Sequence, residues 1–417
     1  MVKTGNTKFK DIIKRRNDFP SLKNKYNGYP LAYLDGPGGS QVPNIVIEAI
    51  SNYYKNSNAN THGFFITSKK TDDIIERTRQ SCAAFINAEK SSCISFGANM
   101  TSLNFSLSKA IGRHLRNGDE IVITQLDHEA NRGPWINLRE NGIIVREVLL
   151  RQDGTLDYDD FYKKINEHTR LVAVGLASNA LGTVNNIKLI RQLTYEVGAW
   201  LLVDAVHYAP HFSIDVKSLG VDFLLCSAYK FYGPHVGILY SRENLLDQLQ
   251  ADRLRTQDPK SPFRIETGTL NHAAVAGVNA AVEYIASIGK GNDLRSKINS
   301  GMQVIGNYEN YLAKMLYNGL KKIPGVILYG PSFENPHRAP TVSFTIKDYE
   351  PSEACSFLGE KGICVWDGHF YAIRAIEVLG LMEKGGLIRA GISLYASKDD
   401  VQRLISGIKE ITKRKLK

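Results

Sequence analysis

Between about residues 90 and 240, short and almost wholly apolar runs alternate with longer segments in which apolar side chains recur at helical spacing. Residues 92–96, 120–124, 142–149, 170–174, 199–203, 223–226 and 237–240 read as strands. Several lack the polar alternation of a half-exposed strand, as expected of strands buried on both faces. Residues 158–166 and 187–198 have the length and spacing of crossover helices. The pattern predicts an α/β architecture with a mostly parallel sheet, in which ligands bind beyond the carboxyl ends of the strands. From about residue 274 the pattern changes to a long helical stretch reaching about residue 320, two strand-like pieces (325–329 and 341–345) and terminal helices ending near Thr412. These predict a smaller α+β domain. The expected division is an N-terminal helix and arm (1–30) packing with the small domain, a large domain (31–273) and the small domain (274–417).

Composition narrows the class only slightly. The chain has 417 residues, 43% hydrophobic and 23% charged, as in ordinary globular proteins. No run of about eighteen apolar residues is present, and the first ten residues lack the apolar segment of a secretory signal, so a cytoplasmic location is expected. The five cysteines (Cys82, Cys93, Cys226, Cys355, Cys364) are scattered without a C-x-x-C pair, which argues against a disulfide framework or a zinc site. The net charge of +10 is dispersed, with one dense run at residues 409–417 that reads as a solvated helix end rather than a nucleic-acid surface.

Chemistry enters at the predicted strand ends. Asp204 follows the run 199–203, and Lys230 follows 223–226 within Ser227-Ala-Tyr-Lys230-Phe-Tyr-Gly-Pro234. An acid at one strand end and a lysine at the next suit pyridoxal phosphate (PLP). The amine holds the aldehyde as a Schiff base, and the carboxylate keeps the pyridine nitrogen protonated so that the ring accepts electrons. Taken singly, each reads equally well as a surface lysine or a helix-capping aspartate. Gly97-Ala98-Asn99 ends another strand and opens a helix whose free N–H groups and dipole suit a phosphate. The hydroxyls of Ser227 and Tyr229 could reach the same phosphate, or simply bond within their loop. His128 can stack on a pyridine face or cap a turn. Asn179 and His207 could reach the cofactor's phenolic oxygen, though an asparagine before Ala-Leu-Gly is also a common turn former. The weight lies in five successive strand ends carrying suitable groups in a workable order.

Taken together, Gly97-Ala-Asn99, His128…Asn131, Asn179-Ala-Leu-Gly-Thr183, Asp204-Ala-Val-His207 and the Lys230 motif resemble the class V aminotransferase superfamily, with cysteine desulfurases and selenocysteine lyases closest. The resemblance implies fold type I, with a mostly parallel seven-stranded sheet in the large domain, a homodimer, and active sites at the dimer interface. It implies that Lys230 carries the cofactor, Asp204 pairs with the pyridine nitrogen, and His128 stacks on the ring. It also assigns Asn179 and His207 to the phenolic oxygen and Ala98, Asn99, Ser227 and Tyr229 to the phosphate. Thr269 would reach the partner subunit's phosphate, Arg389 would clamp the substrate carboxylate, and His62 would lie on the substrate side.

One departure matters. Desulfurases carry a persulfide-forming cysteine in a loop resembling Arg-x-Gly-His-x-Cys, and here the stretch is Trp366-Asp-Gly-His-Phe-Tyr371. Tyr371 stands in the cysteine's place and Trp366 in the arginine's. A phenol does not accept sulfane sulfur. Cys364 falls in an apolar piece and reads as a buried strand residue. His207 and Tyr229 replace the glutamine and histidine of many desulfurases. The expected function is C–S or C–Se cleavage of cysteine or a related L-amino acid, with β-elimination compatible with Tyr371. Transamination, epimerisation and a non-catalytic PLP-binding scaffold stand as alternatives.

Overall fold

The computed structural model of the chain describes residues 9–334 and 337–414. The expectations for residues 1–8 and for the basic end beyond residue 414 lie outside the described residues.

The central sheet has seven strands among the described residues. They are β1 (Ile94–Gly97), β2 (Glu120–Thr124), β3 (Ile144–Val148), β4 (Thr169–Gly175), β5 (Trp200–Asp204), β6 (Phe223–Ser227) and β7 (Gly237–Ser241). Their order is β1-β7-β6-β5-β4-β2-β3. Neighbours are parallel except at β7, which runs antiparallel to both β1 and β6. The unbroken apolar runs have a direct cause: along β5, Leu201 and Val203 enter the core on one face of the sheet and Leu202 the core on the other. Crossover helix Ile187–Glu196 starts where Asn186 accepts a hydrogen bond from Leu189 N (3.2 Å) and buries Ile187, Ile190 and Leu193 on one face.

The small sheet runs β8 (Val326–Tyr329), β9 (Thr341–Ile346), β11 (Leu387–Gly391) and β10 (Trp366–Gly368), in that order and antiparallel throughout. The helical stretch after residue 271 is two helices, not one: His272–Ala286 and Leu294–Leu320. Two features break it. Asp293 and Ser296 form a reciprocal capping box, and a Cβ at Gly289 would lie 2.0 Å from Lys297 O, so the turn packs too closely for any other residue. The N-terminal arm is stitched to the small domain. Ala32–Tyr33 pairs in parallel with Ile363–Cys364, and Arg16 bonds Asp400 Oδ2 (2.7 Å). Cys364 is thus in a strand as expected, but half-buried rather than buried.

A buried ion pair locks β1. Arg79, on helix Ile66–Ile86, meets both carboxylate oxygens of Glu266 at 2.6 Å, and the same carboxylate accepts Phe96 N at 2.6 Å. Removing one partner strands a buried charge, whereas an apolar pair avoids the desolvation. Arg79→Ala is therefore expected to lower stability by about 3–5 kcal/mol. The combination Arg79→Met with Glu266→Leu should recover most of that loss, as read from chemical denaturation midpoints.

Candidate active site

A cavity of about 960 Å³ opens at the carboxyl ends of the parallel strands and is lined by Asn99, His128, Asn179, Asp204, His207, Ser227, Tyr229, Lys230 and Arg389. Each arrives by local logic. Asp204 is the last residue of β5, and Lys230 closes the single 3₁₀ turn that follows β6. Asn99 caps helix Met100–Gly112, its Oδ1 accepting Ser102 N at 2.8 Å, and Ser227 Oγ accepts Met100 N at 3.0 Å. The helix start and the lysine turn are thereby fastened together.

Burial governs the electrostatics. The Lys230 amine is pushed down to about 7, first by desolvation and then by the nearby Arg389 charge. Its Nζ donates to the carbonyls of Pro37 and Gly38, the latter at 3.0 Å. Desolvation raises Asp204 to about 6, and its Oδ1 accepts Val206 N at 2.9 Å. His128 is pushed down to about 4 by burial, followed by Lys230 and Arg389, so it is a neutral imidazole. Its Nδ1 accepts Ala130 N at 2.9 Å, which leaves the proton on Nε2. His207 is also held neutral by burial, and its Nε2 lies 2.8 Å from Thr341 Oγ1 on β9.

Arg389, on β11, is 3% exposed. Its Nη2 donates to Asp35 Oδ1 at 2.8 Å and its Nη1 to Asn179 O at 3.3 Å, while its Nε is buried with no partner among the described residues. A guanidinium held on one side and left unpartnered at Nε can still receive a carboxylate. The Asn179 side-chain amide is engaged elsewhere: it donates to Phe370 O at 2.8 Å.

Three expected site residues lie outside this cavity. Ala98 and Thr269 line a separate cavity of about 330 Å³ together with His235, which borders both. The His62 side chain is 79% exposed, 3.4 Å from Asp72, on a loop remote from the cavity lining.

The segment that departs from the desulfurase pattern forms part of the wall. Trp366, Phe370 and Tyr371 line the cavity, and none of the five cysteines does. Phe370 and Tyr371 have left-handed φ values of 53° and 57°. For non-glycine residues this costs about 1–3 kcal/mol each and persists only where the surroundings impose it. Here Glu129 N donates to Tyr371 O at 2.7 Å, and Asn179 holds Phe370 O. The Phe370 ring covers the Arg389 guanidinium at 4.3 Å, and the Tyr371 ring lies 5.5 Å from that of His128.

Asp35 had no role in the sequence reading. The signal was the turn after it, Gly36-Pro-Gly-Gly-Ser40: a Cβ at Gly38 would sit 2.1 Å from Asp35 Oδ2, so the turn wraps the carboxylate. Asp127 was also missed. It is a buried carboxyl raised to about 7 by desolvation, its Oδ1 accepting Gly175 N at 2.7 Å beside Asp204 in the strand register.

These groups fit PLP. A buried amine of depressed pKa, a buried acid one strand away, a flat neutral imidazole and a helix start converge on one cavity. The sequence profile of the aminotransferase class-V family matches residues 32–404. A cysteine desulfurase of Pectobacterium carotovorum subsp. carotovorum (strain PC1) is 32% identical over 416 residues, covering 96% of this chain and 98% of that protein. One of Serratia proteamaculans (strain 568) is 33% identical over 418 residues, with the same coverage. Among solved structures, the apo cysteine desulfurase of Thermococcus onnurineus NA1 superposes with a TM-score of 0.86 at 30% identity, covering 96% of this chain and 98% of that one. The cysteine desulfurase CsdA of Escherichia coli gives 0.84 at 25% identity with the same coverage. The fold, the convergent site and these likenesses agree: the chain belongs to the class-V aminotransferase family and is a PLP-dependent, cysteine desulfurase-like enzyme of fold type I.

Proposed function

We propose that this enzyme cleaves the Cβ–S (or Cβ–Se) bond of cysteine or a related L-amino acid by β-elimination, without a protein persulfide. The carrying observation is the aromatic wall. Tyr371 falls where the resemblance expects the desulfurase thiol, and no cysteine lines the cavity. Cys364 sits in the strand pair with the N-terminal arm, and burial raises its thiol pKa, which suits an inert strand residue.

PLP, when bound, supplies an electron sink for negative charge developing at the substrate's Cα. Lys230 would hold the cofactor and, as a free amine of low pKa, take the α-proton. Asp204 would pair with the pyridine nitrogen, and His128 would stack on the ring as a neutral imidazole. Ala98, Asn99, Ser227 and Tyr229 would hold the phosphate, and His207 would face the phenolic oxygen. Arg389 orients the substrate carboxylate with its free edge, beside Asn179. The active unit is a homodimer in which Thr269 reaches the partner subunit's phosphate and His62 lies on the substrate side. The exposed run Phe64 (97%), Phe65 (59%) and Ile66 (67%), next to His62, supports a covered face there. With the domains divided at 31–273 and 274–417, the small domain's share of the cavity lining is Trp366 on β10, Arg389 on β11 and the loop carrying Phe370 and Tyr371.

Incubation of the holoenzyme with an amino-acid panel should release pyruvate and sulfide from cysteine, and Cys364→Ser should leave that release intact. Alanine with sulfane sulfur would instead indicate desulfuration, and amino exchange with a keto acid would indicate transamination. Arg389→Lys keeps the charge but loses the fork, and kcat/KM should fall roughly ten- to a hundredfold with cofactor occupancy unchanged.

The Lys230 amine must be neutral to capture the cofactor aldehyde. A lowered pKa makes it neutral above about 7 rather than above the usual lysine range, so visible absorption on adding PLP to apoprotein should appear faster as pH rises from about 6 to about 8 and then level off. Stopped-flow absorbance reads this directly. Lys230→Ala should show no visible band while melting at the same temperature.

A further inference from the structure

We propose that the site takes S-substituted cysteines, neutral thioethers whose sulfur carries an alkyl or aryl group, in preference to free cysteine. This inference rests on the β-elimination reading above and specifies its substrate class.

Position carries the argument first. Phe370 lies over Arg389, which receives the α-carboxylate, and Tyr371 lies beside His128, which covers the cofactor ring. A substrate held between those two anchors sends its side chain toward Tyr371 and Trp366. Both aromatics are still accessible at the cavity lining, Tyr371 at 66% and Trp366 at 57%. Two consecutive left-handed residues hold this wall, tied by Glu129 N and the Asn179 amide, and strain of that kind clusters at ligand clamps.

Charge narrows the choice. Arg389 is the sole guanidinium lining the cavity, and it already spends one nitrogen on Asp35. The lining lysine is the cofactor-bearing one, and Glu129 is paired with Arg132 at 3.0 Å. The wall that faces the side chain is Trp366, Phe370 and Tyr371, three uncharged aromatics, so the side chain it receives is neutral. The cavity of about 960 Å³ houses the cofactor as well as the substrate, so the aromatic wall, not the volume, sets the preference. Free cysteine adds one sulfur beyond Cβ and leaves the aromatic wall wet. A substituent on that sulfur covers it, with sulfur–aromatic contact and apolar burial both favouring the larger substrate.

The chemistry balances without an oxidant. R–S–CH₂–CH(NH₃⁺)–COO⁻ and one water give R–SH, pyruvate and ammonium. Lys230 removes the α-proton, and the Cβ–S bond breaks with its electron pair leaving on sulfur, which is then protonated. No sulfur acceptor on the protein is needed, in keeping with Tyr371.

The test compares L-cysteine, S-methyl-L-cysteine and S-benzyl-L-cysteine on the holoenzyme, measuring pyruvate and free thiol. The kcat/KM should rise along that series, reaching at least about tenfold for S-benzylcysteine over cysteine, mainly through KM. Tyr371→Ala and Trp366→Ala should bring the ratio toward one, while Tyr371→Phe, which keeps the ring, should preserve it. Retained visible cofactor absorption and melting temperature exclude misfolding of the variants. Pyruvate from cysteine but little or none from S-benzylcysteine, or a ratio indifferent to Tyr371→Ala and Trp366→Ala, overturns the inference and leaves β-elimination standing. Pyruvate from none of the three overturns both.

Discussion

A guanidinium in a dry interior costs several kcal/mol unless it is paired, and breaking such a pair costs more than its formation returns. Arg389 is in that position, and its partner Asp35 lies 354 residues away on the N-terminal arm. The arm reaches it because Gly391 N donates to Leu34 O at 2.7 Å and Asp35 bridges Gly391. Asn179 from the large sheet and Phe370 from the aromatic loop close the remaining sides. Four distant segments therefore become ordered around one charge. The turn that follows Asp35 also receives the Lys230 amine on its Pro37 and Gly38 carbonyls. One short turn thus sets the separation between the Lys230 amine and the Arg389 guanidinium.

The second constraint is desolvation. Lys230, Asp204 and His128 all move toward their neutral forms, and burial is the first cause for each. The same depth that makes the lysine nucleophilic at neutral pH keeps the His128 imidazole uncharged. Asp127 follows the rule from the next strand. Its carboxyl is raised by burial and by Asp204, and it spends one oxygen on the Gly175 backbone.

The large sheet was legible because strands buried on both faces have no polar residue to interrupt them, and the structure places all seven within two residues of the expected spans. The helical stretch after residue 271 was less so: residues 287–293 hold one apolar residue, Ile288, and the two glycines and the Asp293 cap that mark the break are short enough to be read as part of one helix. In the site, groups at the ends of their own strands could be read locally: His128, Asn179, Asp204, His207 and Lys230 all line one cavity. Asp35 could not, because its meaning depends on a residue from the other end of the chain. The direction of the Asn179 amide was hidden for the same reason, being set by a carbonyl 191 residues later. His62, Ala98 and Thr269 lie outside the cavity of their own chain, and only the family resemblance, not the local pattern, suggests a place for them.

The aromatic loop joins these strands of argument. A residue that collected sulfur within the cavity and delivered it elsewhere would have to travel between two positions. Tyr371 is poorly placed to travel, since its carbonyl is bonded to Glu129 N, its amide to His369 Nδ1, and its neighbour's carbonyl to Asn179. Moving the loop would release backbone strain but forfeit those bonds and uncover the buried Arg389 face beneath Phe370. A fixed wall is what such bonding produces. It suits a reaction in which the leaving sulfur departs with the substrate's own substituent, and the protein need only shape the space around it.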